Sequence, residues 1–133
     1  MTDTQTNPVS NDAVALVARV LLAAIFLLSG LGKLADPAGT AAYIASAGLP
    51  AATLGAWGAG LLETLGGLAL ISGYRARTAA VALALFTLVA AVCFHANFAD
   101  QIQMIMFMKN VAITGGLLQL AITGPGRLAL GRR

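Results

Sequence analysis

The stretch AVALVARVLLAAIFLLSGLGKLA, residues 13–35, decides the class of the fold. Its length suffices to cross a bilayer, because about 20 helical residues span a hydrocarbon core of about 30 Å. It nevertheless carries Arg19 and Lys33. A charge near the middle of a membrane costs about 2.5–3.5 kcal/mol on insertion scales, so such residues usually face the interior of a helix bundle and mark function.

Three further apolar stretches of similar length follow, at residues 51–72, 78–98 and 102–123. Each of them also contains an ionisable residue, namely Glu63, His95 and Lys109. Backbone polar groups in lipid must find partners within the spanning segment, which favours helices. We therefore predict an all-α integral membrane four-helix bundle with a polar site inside it.

The composition supports this class. The chain is 59% hydrophobic and 10% charged, whereas about a quarter of the residues of a soluble domain are charged. The net charge of +3 does not indicate a nucleic-acid partner, because aromatic and basic residues are not interleaved as in a stacking groove. With one cysteine and one histidine, we expect no metal site. We divide the chain into a disordered tail (1–12), a membrane domain (13–126) and a basic tail (127–133).

The arginines predict the orientation of the bundle. They are concentrated after the second and fourth spans, at Arg75, Arg77, Arg127, Arg132 and Arg133. An even number of spans places both of these regions on the side of the N-terminus, and the opposite side has little more than Lys33. By the positive-inside rule, we expect both termini in the cytoplasm.

The first external connection, residues 36–50, reads DPAGTAAYIASAGLP. It opens with the turn signal Asp36-Pro37 and closes with Gly48-Leu49-Pro50. Between them we predict a short interfacial helix that covers the outer end of the bundle, with Tyr43 at the level of the lipid headgroups.

The depth of each polar residue predicts two groups. Arg19 and Glu63 fall in the inner half of their spans, where they can form an ion pair. The outer group forms a basic pocket and consists of Lys33, His95, Lys109 and Asn110. The Arg19–Glu63 pair can equally be a purely structural contact that fixes the order of the helices.

Two motifs resemble the DoxX family of small bacterial inner-membrane proteins. They are RVLLAAIFLLSGLGKLADP in the first span and MKNVAITGGLL in the fourth. The resemblance extends over residues 17–120 and implies a four-helix protein of the inner membrane. It also implies a link to membrane oxidoreductase complexes that handle sulfur compounds, thiols or oxidative stress. The family's recurrent positions correspond here to Arg19, Ser29, Gly30, Lys33, Glu63, His95, Lys109 and Asn110.

Three functions remain open at this point. The first is a quinone-linked oxidoreductase subunit that has no intrinsic cofactor and uses a diffusible quinone. Glu63 and His95 would be catalytic in it, and the quinone would be bound by Arg19, Lys33, Lys109 and Asn110. The second is a non-catalytic scaffold or assembly subunit. The third is a small-solute permease. In each case we expect a partner subunit or a homo-oligomer within the bilayer.

Overall fold

The computed structural model of the protein describes residues 8–131. It contains five helices in this part of the chain: α1 (Pro8–Ala35), α2 (Pro37–Ser46), α3 (Ala52–Ser72), α4 (Ala76–Phe94) and α5 (Gln101–Thr123). Four of them, α1, α3, α4 and α5, are long and apolar enough to cross a membrane, and the described residues form no strand. The predicted all-α membrane bundle is confirmed.

Two helix boundaries differ from the prediction by four residues or more. Helix α1 begins at Pro8, so residues 8–12 of the predicted tail are helical, and the rest of that tail lies outside the described residues. Helix α4 ends at Phe94 and His95 is its C-cap, with a φ of −129°. The third span therefore ends earlier than predicted. The chain turns between His95 and Asp100. Asp100 then caps α5, because its side chain accepts a hydrogen bond from the Ile102 N–H.

The predicted short helix in the first connection is α2. Asp36 caps it, since its Oδ1 accepts a hydrogen bond from the Gly39 N–H at 3.0 Å, and Pro37 occupies the first turn, where proline fits. Ile44 is buried, and the ring of Tyr43 stacks on Phe94 with centroids 5.1 Å apart. Helix α2 thus lies across α3 and reaches the end of α4.

The spanning helices pack as two close pairs, α1 with α3 and α4 with α5. Glycine allows the first pair to approach, because a Cβ at Gly30 would lie 2.7 Å from the backbone nitrogen of Thr64. We call the two ends of the bundle the α2 end and the arginine end, the latter carrying Arg75, Arg77 and Arg127. The bundle is closed towards the arginine end by a cluster of buried apolar residues: Ala23, Phe26, Leu70, Ala80, Leu83, Ala84, Leu117 and Leu120.

The segment after α5, residues 124–131, packs against the rest of the protein. The Leu130 N–H donates to the Ser72 carbonyl at 2.7 Å, and the Arg127 N–H donates to Asp12 Oδ1 at 3.1 Å. These contacts hold the segment against the arginine end of α1 and α3. Arg132 and Arg133 lie outside the described residues.

Candidate functional site

The centre of the site is an ion pair between Lys33 on α1 and Glu63 on α3. Lys33 Nζ lies 3.0 Å from Glu63 Oε2 and 3.2 Å from Oε1, and it also donates to Ser29 Oγ at 2.6 Å. The side chains are 26% and 5% exposed, respectively. A carboxylate buried this deeply needs a partner of opposite charge, and Lys33 supplies it.

The predicted ion pair between Arg19 and Glu63 is wrong. A helical Cα–Cβ bond tilts towards the N-terminus of its helix. The antiparallel helices α1 and α3 therefore direct their side chains oppositely along the bundle axis. Glu63 is directed towards the α2 end, whereas Lys33 and Arg19 are directed towards the arginine end. Lys33 therefore meets Glu63, and Arg19 is directed away from it.

Arg19 instead joins three segments at the arginine end. Its side chain is fully buried, and Nη1 donates to the carbonyls of Leu70 at 3.0 Å and Ile71 at 2.9 Å. Nη2 donates to the carbonyl of Leu128 in the segment after α5. The last carbonyls of α3 have no partner within the helix and carry the negative end of its dipole, so a guanidinium stabilises them. Arg19 is a structural clamp in this arrangement.

We expect Arg19→Lys to lower the free energy of unfolding by about 1.5–3 kcal/mol, the value of one hydrogen bond to a charged group. A single ammonium cannot reach the carbonyls of α3 and of Leu128 in the geometry of the forked guanidinium. The measurement is denaturant unfolding in detergent. Arg75→Lys is the matched control, because Arg75 is exposed and its side chain contacts Tyr74. Equal effects of the two substitutions would contradict the clamp.

A cavity of about 530 Å³ lies beside the ion pair, in the half of the bundle towards the α2 end. Its walls are mostly apolar and come from all five helices, for example Phe26, Ile44, Ala59, Phe86 and Ile113. The predicted site residues that line it are Lys33, Glu63, His95, Lys109 and Asn110. The structure thus brings five of these side chains to one cavity, and Arg19 is not among the residues that line it.

The remaining polar groups of the cavity differ in whether they have a hydrogen-bond partner. Asn110 Nδ2 lies 3.5 Å from the Thr87 carbonyl, at the outer limit of a hydrogen bond. The His95 imidazole and the Lys109 ammonium have no hydrogen-bond or ion-pair partner among the described residues. These two side chains are therefore available to a ligand, whereas Lys33 and Glu63 already bind each other.

The sequence predicted that α2 covers this end of the bundle, but it did not predict which residues form the cavity wall there. Tyr43 and Phe94 lie in the lining and stack on each other, with an angle of 18° between the rings. Cys93 also lines the cavity. The only signal for these residues is their position at a helix end or in the loop helix, and it does not distinguish a cavity wall from a lipid contact.

Comparison with known proteins identifies the family. The DoxX family model matches residues 14–96, more than half of the chain. The chain belongs to the DoxX family. The match covers most of α1 and all of α2, α3 and α4, and therefore the Lys33–Glu63 pair and His95.

Two relatives match this DoxX protein over most of their length. Inner membrane protein YqjF of Escherichia coli (strain K12) is 46% identical over 121 residues, which cover 91% of this chain and 92% of YqjF. Inner membrane protein YphA of the same strain is 38% identical over 123 residues, which cover 89% of this chain and 88% of YphA. No solved structure matches the chain.

Proposed function

We propose that this DoxX protein is the quinone-binding subunit of an oxidoreductase complex in the bacterial inner membrane. One observation carries the proposal: an apolar cavity among the spanning helices has the Lys33–Glu63 pair on its wall, and near its α2 end it has His95, whose ring has no partner among residues 8–131. Buried intramembrane charges usually serve a function when a cavity adjoins them.

The cavity suits a small aromatic head group. Its volume of about 530 Å³ falls within the range of about 300–1,000 Å³ that is typical of ligand pockets. Phe26, Phe86 and Phe94 provide apolar contact surface, and a few polar groups converge on the same space. Such a combination orients a mainly apolar ligand through a small number of hydrogen bonds.

We expect the side chains to bind a quinone and to supply protons when it is reduced. The bound quinone would supply a carrier of electrons and protons. His95 and Asn110 would donate hydrogen bonds to its oxygens. Lys33 Nζ, which contacts the Glu63 carboxylate and Ser29 Oγ, would give up a proton as the quinone is reduced. The Glu63 carboxylate would then accept a replacement proton and pass it to Lys33. Electrons would pass to or from a partner subunit.

A quinone dissolved in the membrane would enter the cavity from the side, between helices. Ile25 and Val89 line the cavity and are 37% and 60% exposed. In a membrane, their exposed faces would contact lipid.

A permease is less well supported than a quinone subunit. A solute path has to continue from the cavity to the arginine end. There the apolar cluster around Leu70, Leu83 and Leu117 fills the bundle, and all three side chains are fully buried. A scaffold would need the ion pair for folding but would leave the cavity without a ligand, and the experiment on Cys93 separates it from the quinone subunit.

The proposed orientation places the α2 end outside the cytoplasm. Cys93 is the only cysteine of the chain, and it lies in the last turn of α4. We expect a membrane-impermeant maleimide to label it from the periplasmic face in intact spheroplasts. Labelling only after the cytoplasmic face is exposed would reverse the orientation. Tyr74→Cys in a Cys93→Ser chain is the control for the opposite end.

The test of quinone binding measures how fast a small maleimide labels Cys93 in the purified chain. A short-chain ubiquinone or menaquinone analogue should slow the labelling in a saturable way. Ala90→Phe should weaken this protection, because Ala90 lines the cavity and the added phenyl group occupies part of it. Leu88→Phe is the matched control, since Leu88 is on the same helix, 40% exposed and outside the cavity lining.

A nonspecific effect of quinone on the detergent micelle is tested with Val92→Cys in the Cys93→Ser chain. Val92 is 64% exposed and adjacent to Cys93, so its labelling should not respond to the analogue. If labelling of Cys93 is unchanged at every soluble quinone concentration, the redox proposal fails and the scaffold is favoured.

A further inference from the structure

The cavity carries a positive charge that nothing in the described part of the protein balances. Lys33 and Glu63 neutralise each other at 3.0 Å. Lys109 also lines the cavity, is exposed, and has no carboxylate within salt-bridge distance among residues 8–131. The cavity therefore has one cationic group without a counter-charge among these residues.

The other acidic residues near the α2 end have a different role. Asp36 Oδ1 accepts a hydrogen bond from the Gly39 N–H, and Asp100 Oδ1 accepts one from the Ile102 N–H. Both are helix N-caps, and neither lines the cavity. Their carboxylates thus interact with helix N-termini, where the dipole favours negative charge. They are not partners of Lys109.

Lys109 is an ionisable residue in an apolar spanning helix, and such residues often mark a ligand site. Lys109 lies two turns inside α5 (Gln101–Thr123), beside the lipid-facing residues Ile105 and Met108, which are 58% and 54% exposed. His95 lines the same cavity, and its ring has no partner in the part of the chain that the structure describes. Together they offer a cation and an imidazole to one ligand, and both groups suit an oxyanion.

We propose that the cavity binds an amphipathic organic monoanion, in which a carboxylate or similar oxyanion is attached to a single apolar body. The anionic group binds Lys109 and His95, and the apolar body packs against Phe26, Phe86 and Ile113 inside the cavity. This proposal goes beyond quinone binding and does not depend on it. Both ligands occupy one cavity, so the anion displaces a bound quinone.

The apolar walls favour a ligand with an apolar body over a small inorganic anion. Phe26, Ile44, Ala59, Phe86 and Ile113 can make no hydrogen bond to an oxyanion through their side chains, yet they form much of the lining. A small hydrated anion would leave this surface in contact with water. An aryl group or a short alkyl chain removes that surface from water, which favours binding.

The test compares 2-naphthoate with its neutral amide, 2-naphthamide, on the purified full chain. The dissociation constant of each is read from protection of Cys93 against a maleimide, as a ratio of rates with and without ligand in the same variant. We expect 2-naphthoate to bind at least about tenfold more tightly, because one hydrogen bond to a charged group is worth about 1.5–3 kcal/mol. Lys109→Gln should remove this preference and leave 2-naphthamide unchanged.

Two control variants test whether the charge of Lys109 causes the preference for the anion. Lys109→Arg retains the charge and should retain the preference for the anion. Arg75→Gln removes an exposed cation at the arginine end and should change nothing. Equal affinities for the two compounds would overturn the proposal, as would an anion preference that survives Lys109→Gln. Protection by 2-naphthoate without protection by any quinone analogue would support the anion site and would count only against the redox proposal.

Discussion

Replacing Glu63 with leucine should destabilise the folded protein by about 3 kcal/mol, the lower end of the range measured for a buried pair that loses one partner. The change leaves Lys33, which is 26% exposed, with Ser29 Oγ as its remaining acceptor. Adding Lys33→Met to Glu63→Leu should restore most of the loss, because a buried pair replaced by apolar residues of similar size is often neutral. The measurement is the free energy of unfolding of the four chains that make up this cycle.

A second cycle with Arg19→Leu separates the observed pairing from the pairing that the sequence predicted. Arg19 hydrogen-bonds to the carbonyls of Leu70, Ile71 and Leu128, so its substitution should add to Glu63→Leu within about 0.5 kcal/mol, as for independent sites. Rescue of Glu63→Leu by Arg19→Leu would show that the two charges meet in the membrane and would contradict the structure.

The rescued double variant also bears on function. Lys33→Met with Glu63→Leu keeps the volume of the cavity wall and removes its proton-carrying groups. A scaffold should assemble normally with this chain. A quinone subunit should lose activity while it retains expression and thermal stability. The membrane complex that carries the protein therefore has to be assayed for electron transfer together with the amount of assembled chain.

Gly30→Ala is expected to have the largest effect of any single added methyl group on the α1–α3 contact. Its Cβ would lie 2.5 Å from Thr64 Oγ1 and 2.7 Å from the Thr64 backbone nitrogen. A side chain can rotate away, but the backbone of α3 has to move. Overpacking of this kind costs about 1–3 kcal/mol, and here the displacement would also separate Lys33 from Glu63. We expect a lower melting temperature and loss of ligand protection at Cys93.

Gly32→Ala is the matched control on the same helix. A Cβ at Gly32 has nothing within 4 Å, so the substitution adds a methyl group on the lipid-facing side and removes a helix glycine. It should leave the melting temperature unchanged or raise it. Equal behaviour of the two alanine variants would show that α1 and α3 do not approach at Gly30.

The arrangement of the site could be predicted in part. Residues 13–35 and the three stretches after them predicted the helices, and the turn signals around residues 36–50 predicted α2. The sequence also grouped Lys33, His95 and Lys109 near one end of the bundle. It could do so because distance along a helix converts directly into depth at about 1.5 Å per residue.

The sequence by itself thus determined the class of the fold, the number of spans and the approximate depth of each polar residue, because apolar length and helical rise are local properties. Only the tertiary structure decided which charges meet. Arg19 and Lys33 share a helix, and depth alone favoured Arg19 as the partner of Glu63. The opposite directions of the side chains on the antiparallel helices α1 and α3, and the docking of Leu128 and Leu130 at the arginine end, assign Glu63 to Lys33 and make Arg19 a clamp.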